Sequence, residues 1–144
     1  MSKKLVLGFD DSDSAKAALD FATTLAKAQG AEVIVAHVLE WSPYSFLTKE
    51  ELEERHKRRK EELARAEDAL LKPVLKKLTD AGITATTVLR YGHIADTLVE
   101  IIKENNAEMI VIGRTGHSAL SSRIFGSVAG SLAQAAPVPV TIVP

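Results

Sequence analysis

The sequence predicts an open parallel α/β sheet with helices on both faces. Two observations carry that reading. Five short apolar runs alternate with helix-like segments along the 144 residues, the pattern of strands joined by helical crossovers. The second of them, Val33 to Leu39, is continuously hydrophobic rather than alternating, as in a strand covered on both sides. Right-handed crossovers then place helices on both faces of the sheet.

Leu5-Val6-Leu7-Gly8-Phe9 is the first run, closed by Asp10-Asp11-Ser12-Asp13-Ser14. These are helix-capping residue types, so the run reads as a buried strand feeding a helix. In that helix Ala17, Phe21 and Leu25 recur at four-residue spacing, with Ala18, Ala22 and Ala26 beside them, and Gly30 is a good stop. Val33 to Leu39 is the second strand, and Trp41 to Leu47 an irregular stretch.

Thr48 followed by Glu51 looks like a capping box at the start of a long charged segment ending near Thr79. From Lys49 to Glu62 six basic and six acidic residues balance. Glu51 with Arg55, Glu53 with Lys57, and Glu54 with Arg58 sit at favourable helical spacing. Leu63, Ala66, Leu70, Val74 and Leu78 form the core-facing stripe, and Pro73 predicts a kink or break near Lys72. Gly82 ends the helix.

Ile83 to Tyr91, rich in threonine and valine, is the third strand. Gly92 opens a helix with Ile94, Leu98, Ile101 and Ile102 on one face. Glu108 to Ile112 is the fourth strand, ending at Gly113, and Ser127 starts a short helix through Ala136. Val138 to Val143 is the last strand, which Pro139 marks as an edge. Without repeats, linkers or low-complexity segments, residues 1–144 read as one domain.

Bulk composition is ordinary for a globular domain, 46% hydrophobic and 26% charged. A formal net charge of -1 gives no general electrostatic footprint for nucleic acid or an acidic membrane. The absence of cysteine excludes disulfides, thiolate metal sites and cysteine catalysis, and fits a reducing compartment. No stretch reaches the ~18 apolar residues of a membrane span, and the first run is too short for a signal peptide. The expectation is a cytoplasmic protein.

The stretch from Ile112 to Ser127 carries the chemistry. Glycines stand at the strand exit (Gly113), three residues later (Gly116) and at the helix entrance (Gly126). Phosphate binding needs backbone N–H groups that approach closely, which small residues permit. A helix starting at Ser127 presents free N–H groups and the positive end of its dipole to an anion. Arg114, His117 and Arg123 add positive charge. The composition also fits a loop whose glycines merely make turns, with Ser127 as an ordinary cap. The loop is neither a Walker A sequence nor a dinucleotide fingerprint.

The spacing G-x2-G-x9-G-S resembles the ATP-binding branch of the universal stress protein family. The resemblance covers nearly the whole chain: Asp10 with Ser12 after the first strand, His37-Val38 on the second, and Gly92 after the third. It continues through Gly113-Arg114-Thr115-Gly116, Gly126-Ser127-Val128-Ala129 and Pro137-Val138-Pro139-Val140. It implies a five-stranded parallel sheet of order 3-2-1-4-5. It implies that Asp10, with the backbone of Gly8 and Phe9, contacts adenine and ribose, and that Val38 also touches adenine. By the same resemblance Gly113 and Gly116 approach ribose and phosphates. Gly126, Ser127 and Val128 hold the phosphates of ATP, often with Mg²⁺ or Mn²⁺. The resemblance further implies homodimers through the last strand, Val138 to Val143. His93 departs from the proline common after the glycine of the third strand, and Pro73 interrupts the second helix; neither touches this site.

The remaining candidates have plainer readings. Asp10, Asp11 and Asp13 also fit turn and cap residues. His37 reads as a structural histidine of an apolar strand. His37, His56, His93 and His117 do not have metal-ligand spacing. His56-Lys57-Arg58-Arg59-Lys60 is flanked by glutamates and reads as a solvated helix face. Thr115, Ser118, Ser121 and Ser122 are either polar loop residues or acceptors of a slow autophosphorylation. No strong general base or activated nucleophile is visible. The leading expectation is therefore a nucleotide-dependent regulator of stress response that acts on unknown protein partners, with at most slow ATP hydrolysis. An ATP-cleaving enzyme of the same fold and a nucleotide-free dimeric adaptor are the alternatives. The first is weakened because no glycine follows Phe9, the second because the glycine motif is intact.

Overall fold

A computed structural model of the chain describes residues 3–40, 48–115 and 127–144. In chain order the elements are β1 (Lys4–Gly8), α1 (Asp13–Gln29), β2 (Glu32–Glu40) and α2 (Lys49–Ala66). A π-helical turn (Glu67–Leu71) leads into α3 (Lys72–Asp80). Then come β3 (Ala85–Gly92), α4 (Ile94–Asn105), β4 (Met109–Gly113), α5 (Ser127–Ala135) and β5 (Val140–Val143). The strands form one parallel sheet of order β3-β2-β1-β4-β5, the order the resemblance implied.

Each face of the sheet has its own core. Leu5, Leu7, Val33, Val35 and Val111 pack with α1 and with Leu71, Val74 and Leu78. Val6, Ile34, Ala36, Ile110 and Ile112 pack with Leu98, Ile101 and Ile102 of α4 and Leu132 of α5. The central strands β1, β2 and β4 are thus covered on both sides, as the continuous apolar run of β2 predicted for that strand, whereas the edge strands β3 and β5 are only partly buried.

In α1, Ser12 caps the start by accepting from the Ala15 N–H, and Gly30 closes the end in the left-handed conformation. The buried stripe differs from the expected Ala17-Phe21-Leu25 row. The neighbouring Ala18, Ala22 and Ala26 are buried as expected, together with Ala15 and Leu19, whereas Ala17 and Leu25 are only partly buried and Phe21 is 43% exposed.

Pro73 takes effect without breaking the helix path. The Lys72 N–H reaches back five residues to the Glu67 carbonyl, a π turn that adds one residue ahead of the proline. The extra residue rotates the core face: Leu71 is 1% exposed, whereas Leu70 is only partly buried, a correction to the expected stripe. Leu63 and Ala66 are half-buried, and α2 has no buried residue. Thr48 accepts from the Glu51 N–H as the capping residue. Glu53–Lys57 and Glu54–Arg58 are not among the ion pairs of the described residues. Tyr91 of β3 donates to Glu62 of α2, and Arg59 lies 5.4 Å over the Tyr91 ring.

Candidate functional site

In a doubly wound sheet the ligand position lies beyond the carboxyl ends of the strands, where strand order reverses. Here that point falls between β1 and β4, which pair as Leu5↔Met109, Val6↔Ile110 and Leu7↔Val111. From β1 the chain crosses to β2 on one side, and β4 occupies the other.

At the end of β1 the Phe9 N–H donates to the Ala36 carbonyl of β2 at 2.9 Å. A continued parallel ladder would next have the Val38 N–H donate to the Phe9 carbonyl. That bond is not made. The Phe9 carbonyl instead lies 2.7 Å from Nδ1 of His37. A carbonyl oxygen only accepts, so Nδ1 carries the proton and donates. Residues two apart on a strand turn their backbone groups the same way. Ala36 bonds toward β1, and Val33 donates to Thr84 on the β3 side. The N–H and C=O of Val38 therefore face the space into which β1 does not continue, and among the described residues they have no strand partner there. The Val38 side chain is 6% exposed and belongs to the α4 side of the core. The Phe9 side chain, 5% exposed, belongs to the opposite side. Both residues thus meet the sheet edge through backbone alone.

The turn after β1 is held by its own polar groups. Asp10 Oδ1 accepts from the Ser12 N–H at 3.1 Å and from the Ser12 hydroxyl at 2.5 Å. Ser12 Oγ in turn accepts from the Ala15 N–H at 3.1 Å. The Ser12 hydroxyl proton goes to the nearer Asp10 rather than to the Thr115 carbonyl 3.3 Å away. Asp11 takes a left-handed φ of 63° to complete the turn. Asp10 is thus the turn residue of its plainer reading, and its Oδ2 has no partner among the described residues.

The exit of β4 is packed against the start of α1. A Cβ on Gly113 would lie 2.6 Å from the Ser14 carbonyl carbon, 2.7 Å from Ser14 Oγ and 2.8 Å from the Ala15 nitrogen. The glycine is required first by a helix backbone, independently of any phosphate. Gly8 is likewise tight, its missing Cβ lying 2.9 Å from Ile112 Cγ2. Ser14 was not singled out by the sequence, yet it ties three elements. Its hydroxyl donates to the Val143 carbonyl of β5 at 3.0 Å and accepts from the Thr115 N–H at 3.3 Å. The Arg114 N–H reaches the same Val143 carbonyl at 2.7 Å, leaving the Arg114 side chain exposed.

Gly8, Phe9, Asp10, Val38, Gly113 and Arg114 thus gather at one edge of three adjacent strands. Ser127 and Val128 begin α5, with Ser127 exposed and Val128 packed against the α4-side core. Gly116, His117 and Gly126 lie outside the described residues, as do Ser118, Ser121 and Ser122. Among the described residues no helix is long and apolar enough to cross a membrane, and no group of three or more His, Cys, Asp or Glu side chains is placed to hold a metal ion.

Sheet order and a core on each face define a doubly wound α/β protein. The model of the universal stress protein family matches residues 1–144, and the chain belongs to that family. It is 31% identical to Universal stress protein YxiE of Bacillus subtilis over an alignment of 156 residues covering 99% of each chain. Among solved structures, universal stress protein UspA of Lactobacillus plantarum superposes with a TM-score of 0.87 at 23% identity, covering 99% of this chain and 97% of that one. A universal stress protein in complex with cAMP superposes with a TM-score of 0.70 at 26% identity, covering 99% and 96%.

Proposed function

We propose that this chain is an ATP-binding regulator of stress response. ATP lies across the carboxyl edge of β2, β1 and β4. The observation that carries this reading is the unpaired backbone of Val38. One N–H donor and one C=O acceptor lie side by side in the plane of the sheet, beside a strand that has turned away. Adenine presents the matching pair on one edge, an exocyclic N–H and a ring nitrogen. The cAMP complex of a relative in the same family supports an adenine nucleotide as the ligand class.

In this arrangement Asp10 faces the ribose with its free Oδ2, beside the backbone of Gly8 and Phe9. Gly113, Arg114, Gly116 and His117 line the path of the phosphates. Gly126, Ser127 and Val128 hold them with the freed amides of a helix start. Mg²⁺ or Mn²⁺ arrives with the phosphates, neutralising charge that the protein side chains leave exposed. Partners then read the ATP-bound state of a cytoplasmic homodimer paired through the open edge of β5. Chemistry beyond slow ATP hydrolysis or autophosphorylation is not part of this reading.

The test is direct. Purified protein is denatured and its supernatant analysed for nucleotide, and the refolded or nucleotide-stripped protein is titrated with Mg·ATP by calorimetry. Released adenine nucleotide, or saturable heat that Gly126→Val abolishes, is the expected result. No heat with the parent, and a Gly126→Val variant that behaves identically, overturns the reading.

A further inference from the structure

We infer that His37 is a positioning residue of the nucleotide site: by holding the Phe9 carbonyl through Nδ1–H, it keeps the Val38 N–H free for a ligand. The inference rests on the adenine-nucleotide reading above and assigns the device that creates its base-recognition edge.

The geometry is specific. The β1–β2 ladder is regular through Gly8↔Ala36, and the next bond, Phe9 N–H to Ala36 O, is formed at 2.9 Å. The following rung of a parallel ladder needs one acceptor, the Phe9 carbonyl, and one donor, the Val38 N–H. Both strands are present up to that rung, and β2 continues to Glu40. The acceptor has two lone pairs, and the bond it makes here is to the His37 side chain at 2.7 Å rather than to the Val38 N–H. His37 is the residue next to Val38, and its own backbone faces β3, where it pairs with Leu89. Its ring can therefore reach across to β1 without disturbing the β2–β3 ladder. The Phe9 carbonyl is satisfied, β1 is released into the Asp10 turn, and Val38 is left as an unpaired donor at the end of a rigid strand. A hydrophobic side chain at position 37 would leave the Phe9 carbonyl in need of a donor, and the nearest one in ladder register is the Val38 N–H. The strand pair would then close over the base edge.

Asparagine is the informative replacement, because its amide nitrogen stands at the same branch position as Nδ1 and donates likewise. Leucine has similar bulk and no donor. Hydrogen exchange of the Val38 amide is measured in the nucleotide-free parent, His37→Leu and His37→Asn. Each protein is also titrated with Mg·ATP and with Mg·tripolyphosphate. The expected result is fast Val38 exchange in the parent relative to Val33 and Val35, slowed in His37→Leu and fast again in His37→Asn. ATP affinity falls about tenfold in His37→Leu, the scale of one lost donor. It recovers in His37→Asn, while tripolyphosphate binding is the same in all three. A slow Val38 amide in the parent overturns the inference, and so does a His37→Leu variant with parental ATP affinity. If His37→Leu does not fold, an Asn variant with weakened ATP binding does the same. A parent with a fast Val38 amide that binds neither probe refutes the nucleotide reading and leaves the open rung as a fact of the sheet.

Discussion

The two ends of the molecule are built on different principles. Where β1, β4 and β5 meet α1, backbone lies against backbone. Gly113 has no room for a methyl group, and Ser14, buried to 7% exposure, bonds to two other segments. At the opposite flank, α2 has no buried residue and is tied to β3 by side-chain tips, Tyr91 to Glu62 and Arg59 over the ring. The first region has little slack, because Gly113 lies against the backbone of Ser14 and Ala15; the second can lose a contact and let water replace it. A ligand that must find amides within tenths of an ångström needs the first kind of support. A surface that varies without harm to the fold is of the second kind.

The comparison breaks most readily at Gly113. Gly113→Ala must push the first turn of α1 away from β4, and stability should drop by about 3 kcal/mol or more in urea denaturation. A loss under about 1 kcal/mol would mean that α1 does not sit against the strand exit. Next comes the rotation made by the π turn. Leu71→Ala should cost about 2.5 kcal/mol by cavity formation, and Leu70→Ala well under half of that. Equal losses would return the helix to the unrotated stripe.

Ser14→Ala comes third. It removes the donor to the Val143 carbonyl and the acceptor of the Thr115 N–H, while the Arg114 N–H still serves Val143. A loss of about 1–2 kcal/mol is expected, read as a shift of the denaturation midpoint with an unchanged slope.

Tyr91→Phe should have the smallest effect near neutral pH, under about 1 kcal/mol for a partly exposed hydrogen bond. Its signature is pH. Burial first, and then the hydrogen bond to Glu62, push the Tyr91 phenol up to about 12, against about 10 in an unfolded chain. Below pH ~10 both states keep the proton and the contribution is complete. Between ~10 and ~12 only the unfolded state ionises, so the parent should lose stability faster than Tyr91→Phe over that window. Parallel pH curves would show that α2 is not tied there.

Local chemistry made most of the scaffold legible in the sequence. The strands, the Ser12 and Thr48 caps, the Gly30 stop and the α4 face were readable because each depends on neighbours a few residues away. Of the site, Gly113 and Ser127 were legible from the glycines and the helix start around them, whereas the adenine-side roles of Asp10 and Val38 came through the resemblance to a family motif; the structure gathers Asp10, Val38 and Gly113 at one strand edge. Phe21 misled because two adjacent rows on α1, Ala17-Phe21-Leu25 and Ala18-Ala22-Ala26, share the same four-residue period, and period alone does not say which row faces the sheet. The shift from Leu70 to Leu71 was hidden because Pro73 announces a disturbance without saying whether the helix breaks or widens.

The sequence by itself settled which segments are strands and helices, and that β2 is covered on both faces, since propensity, capping and the hydrophobic pattern are local quantities. Tertiary structure alone decided what the polar residues at the strand ends do. His37 meets Phe9 across 28 positions, Thr115 meets Ser14 across 101, and Ser14 meets Val143 across 129. Partners so distant leave no periodic trace, because they become neighbours only when the sheet assembles in the order 3-2-1-4-5.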